Sequence, residues 1–199
     1  FETKKINFIT MAGNKLNSRL IQLVAIEKGY PYYGKLVLGN KKDANTKMVE
    51  EELINAGKIW VYRELLITLG LEIGDRLKLG ELDFTIGDIV LEDPSSSFGT
   101  FGVAPRVYIG LPQVRKTGLL TKKSRINYDN LYKLSDYQEI QKLEDELENK
   151  IKIIGSGNER IRVRTHKDAS ENLGRVLGYL NDYLGSVSYT HLTLPTTYG

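Results

Sequence analysis

The chain has 199 residues, about the length of one domain, and 41% of them are hydrophobic, which is enough for a buried core. Its 28 basic and 25 acidic residues give a net charge of +3, far from the basic surplus of a nucleic-acid-binding domain, so no nucleic-acid partner is expected. The absence of cysteine excludes disulfides and thiolate metal sites and leaves the redox compartment open.

The first part of the chain predicts paired strands followed by a change of direction. Two apolar runs, 5–11 and 18–26, are separated by the turn-like tetrad Ala12-Gly13-Asn14-Lys15. The segment Gly29-Tyr30-Pro31-Tyr32-Tyr33-Gly34 follows, in which proline fixes φ and the glycines permit sharp turns. It predicts a passage between two subdomains, and an ordinary aromatic turn packed on the core is the alternative.

The middle of the chain predicts a compact, mostly β module. Its predicted elements are a polar loop (41–45), a helix (49–56) capped by Gly57, a strand (59–61), a helix (64–69) ended by Gly70, a turn at Gly74-Asp75, and strands 76–79 and 83–91 joined through Gly80-Glu81.

The longest irregular stretch is 92–105, which contains Phe98 and Phe101. Exposed rings there would form a contact surface, and the favoured alternative is that both rings plug the β module from above. A strand (106–109) and a helix (112–117) closed by Gly118 are predicted next.

The last part of the chain predicts a β-α-β unit. It comprises a strand (125–134), an amphipathic helix (137–151) with Ser135 as its N-cap, a turn (155–158) and a strand (160–165). Arg160, Arg162 and Arg164 share one face of that strand, and beside an acidic helix they indicate an ion-paired surface rather than nucleic-acid binding. An amphipathic helix at 172–185 either leads into a membrane span or docks on its own domain.

Neither end of the sequence has the character of a natural terminus. Position 1 is Phe, no signal peptide precedes the first strand, and 187–196 (VSYTHLTLPT) resembles a translated sequencing adapter. We therefore expect 186–199 to be non-native, a natural threonine-rich tail being the alternative. No window approaches the roughly 18 consecutive apolar residues of a membrane helix, so any membrane anchor is expected outside this fragment.

Candidate catalytic chemistry is sparse. His166 is the one histidine outside the adapter-like tail, so histidine-based triads and zinc sites lack ligands. The adjacent acids Glu92 and Asp93 have no identifiable opposing acid for glycosidase chemistry. Neither G-x-x-x-x-G-K-[ST] nor a G-x-G-x-x-G after a strand is present. No catalytic residue, metal or cofactor is predicted.

Several ordered motifs resemble those of one protein family. They are a W-V strand at 60–61, L-G-L-x-x-G-D at 69–75, L-G-x-x-x-F-x-I at 79–86, an acid-Pro loop at 93–94, A-P-R-V at 104–107 and, earlier, G-Y-P-x-x-G at 29–34. In this order they are similar to the extracytoplasmic domain of FtsX/MacB-type ABC exporter permeases. The resemblance implies an α/β (α+β) MacB-like periplasmic core, with a porter-like β-α-β subdomain (1–33 and 119–185) interrupted by an inserted β-rich subdomain (34–118). The porter-like subdomain is expected to be truncated at its N-terminus, without its opening strand and helix.

The resemblance also implies a function. The chain would be a non-catalytic periplasmic part of a dimeric inner-membrane permease, coupling a separate ABC ATPase subunit to an exported lipid, lipoprotein or peptide, or to a periplasmic partner protein. The expected contact residues are Tyr30, Tyr32, Phe98, Phe101 and Arg106. The rival hypothesis is a free-standing secreted or cell-surface binding module, and an enzyme of unknown chemistry is the third.

Overall fold

The computed structural model describes residues 2–31, 35–39, 43–93, 104–121, 124–133 and 137–154, together with isolated positions between 161 and 184. The chain forms two compact units, Phe1–Lys133 and Leu134–Gly199. Strands dominate the first unit and helices the described part of the second, which confirms the predicted mixed α/β (α+β) class.

The first unit contains the strands β1 (Glu2–Gly13), β2 (Ser18–Ile26), β3 (Leu36–Leu38), β4 (Asp43–Ala44), β5 (Ile59–Tyr62), β6 (Arg76–Leu79), β7 (Leu82–Glu92), β8 (Arg106–Gly110) and β9 (Asn127–Tyr132). Its helices are α1 (Thr46–Met48), which continues into a π-helical segment (Val49–Asn55), α2 (Arg63–Leu69) and α3 (Leu111–Val114). The second unit contains α4 (Tyr137–Ile154).

Six of these strands pair into a closed ring. The pairings run β1–β2–β8–β5–β7–β6 and return from β6 to β1, so the curved sheet closes as a small barrel. β7 takes part twice, because its first half pairs with β6 and its second half with β5. The register with β5 shifts between Ile59 and Trp60, opposite Gly87. Such a bulge bends a strand, which allows β7 to turn the corner of the barrel.

The side chains of each strand alternate between the two faces of this sheet. Side chains on the inner face form one core with α2 and α3, and they include Phe8, Leu23, Val61 and Val107. Side chains on the outer face of β5 and β8 form a second core with β3 and the π-helical segment, around Trp60 and Tyr108. Both faces of the central strands are therefore buried, which explains why they appear as continuous apolar runs in the sequence.

Most local predictions for the first unit are confirmed. β1 and β2 pair antiparallel, and Gly70 ends α2 in the left-handed conformation at φ 63°. The β6–β7 hairpin turns at Gly80, with φ 61°. The predicted polar loop at 41–45 was partly wrong, since Asp43–Ala44 pairs with β3. The helix predicted at 49–56 begins earlier, at Thr46, because the Asn45 side chain accepts a hydrogen bond from the Met48 amide.

The predicted subdomain boundaries at 33/34 and 118/119 do not separate two sheets. β2, from the first predicted piece, pairs in parallel with β8 over five residue pairs, and β1 pairs with β6. These hydrogen bonds join the expected porter-like strands and the expected inserted module in one barrel. The division by compactness falls between Lys133 and Leu134.

The predicted β-α-β unit is described only in part. β9 and α4 are present, and α4 extends to Ile154. Ile161 and Val163, from the strand predicted at 160–165, are described and do not lie in a strand. The described positions between 178 and 184 are helical, in agreement with the predicted helix at 172–185. Ser135, the turn at 155–158 and the tail at 186–199 lie outside the described residues.

Candidate functional site

Polar side chains form a row on the outer face of the barrel where β5, β8 and β2 lie side by side. Arg106 is the first residue of β8 and lies directly opposite Gln22 of β2. The Arg106 Nε donates a hydrogen bond to Gln22 Oε1 at 3.1 Å. The alternation of β8 places Val107 and Ile109 inward at 0% exposure, so Arg106 and Tyr108 point outward.

Arg106 is joined to Asp93 by a buried ion pair. Its Nη1 lies 2.7 Å from Asp93 Oδ2, and the exposed fractions of the two side chains are 12% and 2%. The Tyr108 hydroxyl donates a hydrogen bond to the same carboxylate oxygen. The Asp93 carboxylate therefore has an ion pair with Arg106 and a hydrogen bond from Tyr108. A carboxylate withdrawn from water needs such partners.

The environment shifts the pKa of both tyrosines in this group. Burial first, and then the negative charge of Asp93, raise the pKa of Tyr108 well above 10. The same two causes raise the pKa of the half-buried Tyr62, whose ring centroid lies 6.4 Å from that of Tyr108. Both hydroxyls therefore keep their protons throughout the physiological range and act as hydrogen-bond donors rather than as bases.

The ion pair fixes the two ends of the stretch predicted as an irregular loop. Asp93 directly precedes residues 94–103, and Arg106 follows shortly after them. A contact between side chains thirteen positions apart holds both ends of this stretch at one place on the barrel. The arrangement has the chemistry of a structural anchor, because its charged groups already bind each other.

The predicted contact residues meet different outcomes. Tyr30 is buried, with 2% exposure, in the core that contains Tyr108, so its ring is not part of a contact surface, and the alternative of an aromatic turn packed on the core fits its position. Arg106 is largely buried in the ion pair. Tyr32, Phe98 and Phe101 lie outside the described residues.

Sequence reasoning missed most of the anchor. Asp93 was considered as an acid pair with Glu92 and as part of the acid-Pro motif, and Gln22, Tyr62 and Tyr108 were not singled out. One signal was present, since alternation in R-V-Y-I-G places Tyr108 on the face of Arg106. The contacts of Arg106 and Tyr108 with Asp93 could not be predicted from the local sequence pattern, because Asp93 lies thirteen positions before Arg106.

The described residues contain neither a metal-binding cluster nor a membrane-spanning helix. No group of three or more His, Asp or Glu side chains in them is placed to hold a metal ion. Among the described helices, none combines the length and the apolar character needed to cross a membrane.

Similarity to known proteins was found in both sequence and fold. No family model matches the chain. Over 125 residues, 63% of this chain, it is 29% identical to the uncharacterized ABC transporter permease YbbP of Escherichia coli (strain K12), and it spans 14% of that permease's length.

Two solved structures are similar in fold. The extracellular domain of YknZ, a noncanonical ABC-type transporter from Gram-positive bacteria, superposes with a TM-score of 0.50 at 12% identity, over 72% of this chain and 69% of that domain. The periplasmic region of MacB from Actinobacillus actinomycetemcomitans gives a TM-score of 0.47 at 13% identity, over 73% of this chain and 65% of that region.

The sequence similarity and the fold similarity agree with each other. This chain is similar in fold to the extracellular domain of an ABC-type transporter, and its sequence is similar to that of an ABC transporter permease. The predicted resemblance to the extracytoplasmic domain of FtsX/MacB-type ABC permeases is thereby confirmed.

Proposed function

We propose that this chain is the extracytoplasmic domain of an ABC exporter permease of the inner membrane. It has no catalytic role of its own, and it couples transmembrane movement, driven by a separate ATPase subunit of a dimeric complex, to an exported lipid, lipoprotein or peptide, or to a periplasmic partner protein. The observation that carries the proposal is the agreement of two independent similarities: sequence with an ABC permease and fold with an extracellular ABC-transporter domain.

The buried ion pair gives Arg106 a positioning role in this proposal. A domain that transmits movement must hold its contact segment in a fixed relation to its core. The Asp93–Arg106 pair supplies such a fixed point next to residues 94–103. We therefore propose Phe98 and Phe101 as contact residues, with Arg106 acting through the anchor rather than by touching a partner.

Placement across the membrane is tested by site-directed labelling. The chain contains no cysteine, so Ile67, which is 75% exposed, can be replaced by Cys in the full-length protein after any other cysteines are removed. A membrane-impermeant maleimide should label I67C in spheroplasts with an intact inner membrane. Labelling that requires lysis would place the domain in the cytoplasm, and recovery of the full-length protein without membranes would favour the free-standing binding module.

The contact role is tested on the full-length permease reconstituted with its ATPase in proteoliposomes. Phe98→Ala with Phe101→Ala should reduce the dependence of ATP hydrolysis on added partner or substrate while leaving the unfolding midpoint of the 199-residue chain unchanged. Tyr128→Ala is the matched control, because Tyr128 is an aromatic residue with 67% exposure. A lowered midpoint in the double variant would show instead that the rings belong to the core.

A further inference from the structure

Gln22 of β2 binds both the backbone and a side chain at the start of β8. Its amide nitrogen donates a hydrogen bond to the carbonyl oxygen of Pro105 at 3.0 Å, and its side-chain Oε1 accepts one from Arg106 Nε at 3.1 Å. In the parallel register Gln22 lies directly opposite Arg106. One residue of β2 thus holds the chain where β8 begins and also holds the first side chain of that strand.

The Gln22 side chain lies on the outer face of β2, at the border of the second core. On this face Leu20, two positions before it, is exposed, whereas Val24, two positions after it, is buried. Gln22 itself is half-buried. Its hydrogen bond with Arg106 therefore gives the side-chain amide oxygen a partner at a place that is partly withdrawn from water.

The shape of a guanidinium group makes this hydrogen bond a constraint on the buried ion pair. The N–H groups of arginine lie in one plane in a fixed fork, so a hydrogen bond at Nε restricts the orientation of the whole plane. Gln22 holds Arg106 Nε, while Arg106 Nη1 lies 2.7 Å from Asp93 Oδ2. The orientation that satisfies Gln22 is therefore also the one that presents Nη1 to Asp93.

These contacts connect strands that do not pair with each other. Gln22 belongs to β2 and Asp93 directly follows β7, and in the sheet β8 and β5 lie between β2 and β7. Backbone hydrogen bonds connect β2 to β7 on this side only through both intervening strands. The side-chain connection needs one guanidinium group, that of Arg106.

We propose that Gln22 is a positioning residue that couples β2 to Asp93 by orienting the Arg106 guanidinium. A displacement of β2 moves the acceptor of Arg106 Nε, and because the guanidinium is rigid, the displacement reaches Nη1 and its contact with Asp93. That this coupling serves to transmit movement rests on the proposed function. The coupling itself is a property of the barrel.

A double-mutant cycle in the 199-residue chain measures the coupling through the urea midpoint of unfolding. Gln22→Met keeps the length of the side chain but removes the acceptor. It should lower the midpoint by roughly 0.5 to 1.5 M, from the strength of a hydrogen bond to a charged group and a typical m-value. In an Asp93→Asn background this shift should fall to about half or less, because the orientation of Arg106 then no longer determines an ion pair.

Gln113→Met is the matched control. Gln113 is also half-buried, and its Nε2 donates a hydrogen bond to the carbonyl oxygen of Ile54 at 2.9 Å. Its loss should lower the midpoint by the same amount with and without Asp93→Asn, since effects at independent sites add.

NMR signals of the anchor give readouts that do not depend on stability. The Arg106 Nε–H signal is identified by its absence in Arg106→Lys. Gln22→Met should speed its exchange with water at least about tenfold, since a hydrogen bond to a charged group changes an equilibrium constant by at least that factor. Gln22→Glu should restore slow exchange, because its carboxylate accepts the same hydrogen bond. The carbon signal of the Asp93 carboxyl should shift in Gln22→Met and stay unchanged in Gln113→Met.

The proposal is overturned if Gln22→Met lowers the midpoint equally with and without Asp93→Asn, or if the Asp93 carboxyl signal is the same in Gln22→Met and the unchanged chain. If the Asp93→Asn chain does not fold, the carboxyl signal decides the question, because it needs no change at Asp93. The maleimide labelling of I67C is independent of these measurements. Additive effects with labelling intact would remove this inference alone, and a failure of labelling would remove the proposed function.

Discussion

The Asp93–Arg106 ion pair leads to the sharpest quantitative prediction. Arg106→Leu removes the cation from a carboxylate whose side chain is 2% exposed. Removing one partner of a buried ion pair destabilises a protein by about 3 to 5 kcal/mol, because the remaining charge stays withdrawn from water. In this variant Asp93 still accepts a hydrogen bond from the Tyr108 hydroxyl. We therefore expect a loss of stability at the lower end of this range, about 3 kcal/mol.

The chain contains a built-in reporter for this measurement. Trp60 is the one tryptophan in the sequence, and it is fully buried in the first unit with its Nε1 donating to Glu52 at 2.9 Å. Its fluorescence therefore follows unfolding of the unit that contains the ion pair. With a urea m-value of about 1 to 3 kcal/mol per M, a loss of about 3 kcal/mol lowers the unfolding midpoint by roughly 1 to 3 M.

Two controls determine whether burial of the ion pair is the cause of the lost stability. Lys35→Leu breaks the Lys35–Asp43 pair, which is 2.6 Å long but has side chains 72% and 47% exposed, and it should leave the urea midpoint nearly unchanged, because water screens an exposed pair. Replacing Asp93 and Arg106 by Leu together with Tyr108→Phe should restore much of the loss, since neither a buried charge nor the buried hydroxyl that donates to Asp93 is then left without its partner. The reasoning is refuted if Arg106→Leu shifts the midpoint no more than Lys35→Leu does.

Two further predictions concern a raised pKa and a tight turn. Because the pKa of Tyr108 is raised well above 10 by burial and by nearby negative charge, the stability from this group is complete below pH 10 and is lost as the pH rises toward its folded-state pKa. Tyr108→Phe should therefore reduce the fall in the free energy of unfolding, measured by urea titration between pH 9 and pH 11, by up to about 1.4 kcal/mol for each pH unit above 10, and an unchanged fall would contradict the assignment. Gly70 and Gly80 have nearly equal φ, 63° and 61°, but a Cβ at Gly70 meets nothing within 4 Å, whereas one at Gly80 would collide with the carbonyl oxygen of Thr117. Gly70→Ala should cost about 1 to 2 kcal/mol, and Gly80→Ala should cost clearly more in the same urea titration, so equal values would show that the turn can relax.

Part of the candidate site could be predicted from sequence. Arg106 was singled out from the sequence because it lies beside the irregular stretch. Its role differs from the expected contact role, because its guanidinium is held by Asp93 and Gln22. The role of Tyr30 also could not be predicted from the sequence. An aromatic ring beside glycine and proline suits either a contact surface or a core, and in this chain it is buried, with 2% exposure.

The local elements of this protein could be predicted from its amino-acid sequence. Apolar runs predicted β1, β2 and β8, and glycines predicted the end of α2 and the β6–β7 turn, because these features depend on a few neighbouring residues. The tertiary structure alone decided that six strands close into a barrel and that Asp93 pairs with Arg106. Strand partners and buried ion pairs are chosen among segments far apart in the chain, by total burial and hydrogen bonding, and local periodicity carries no record of that choice.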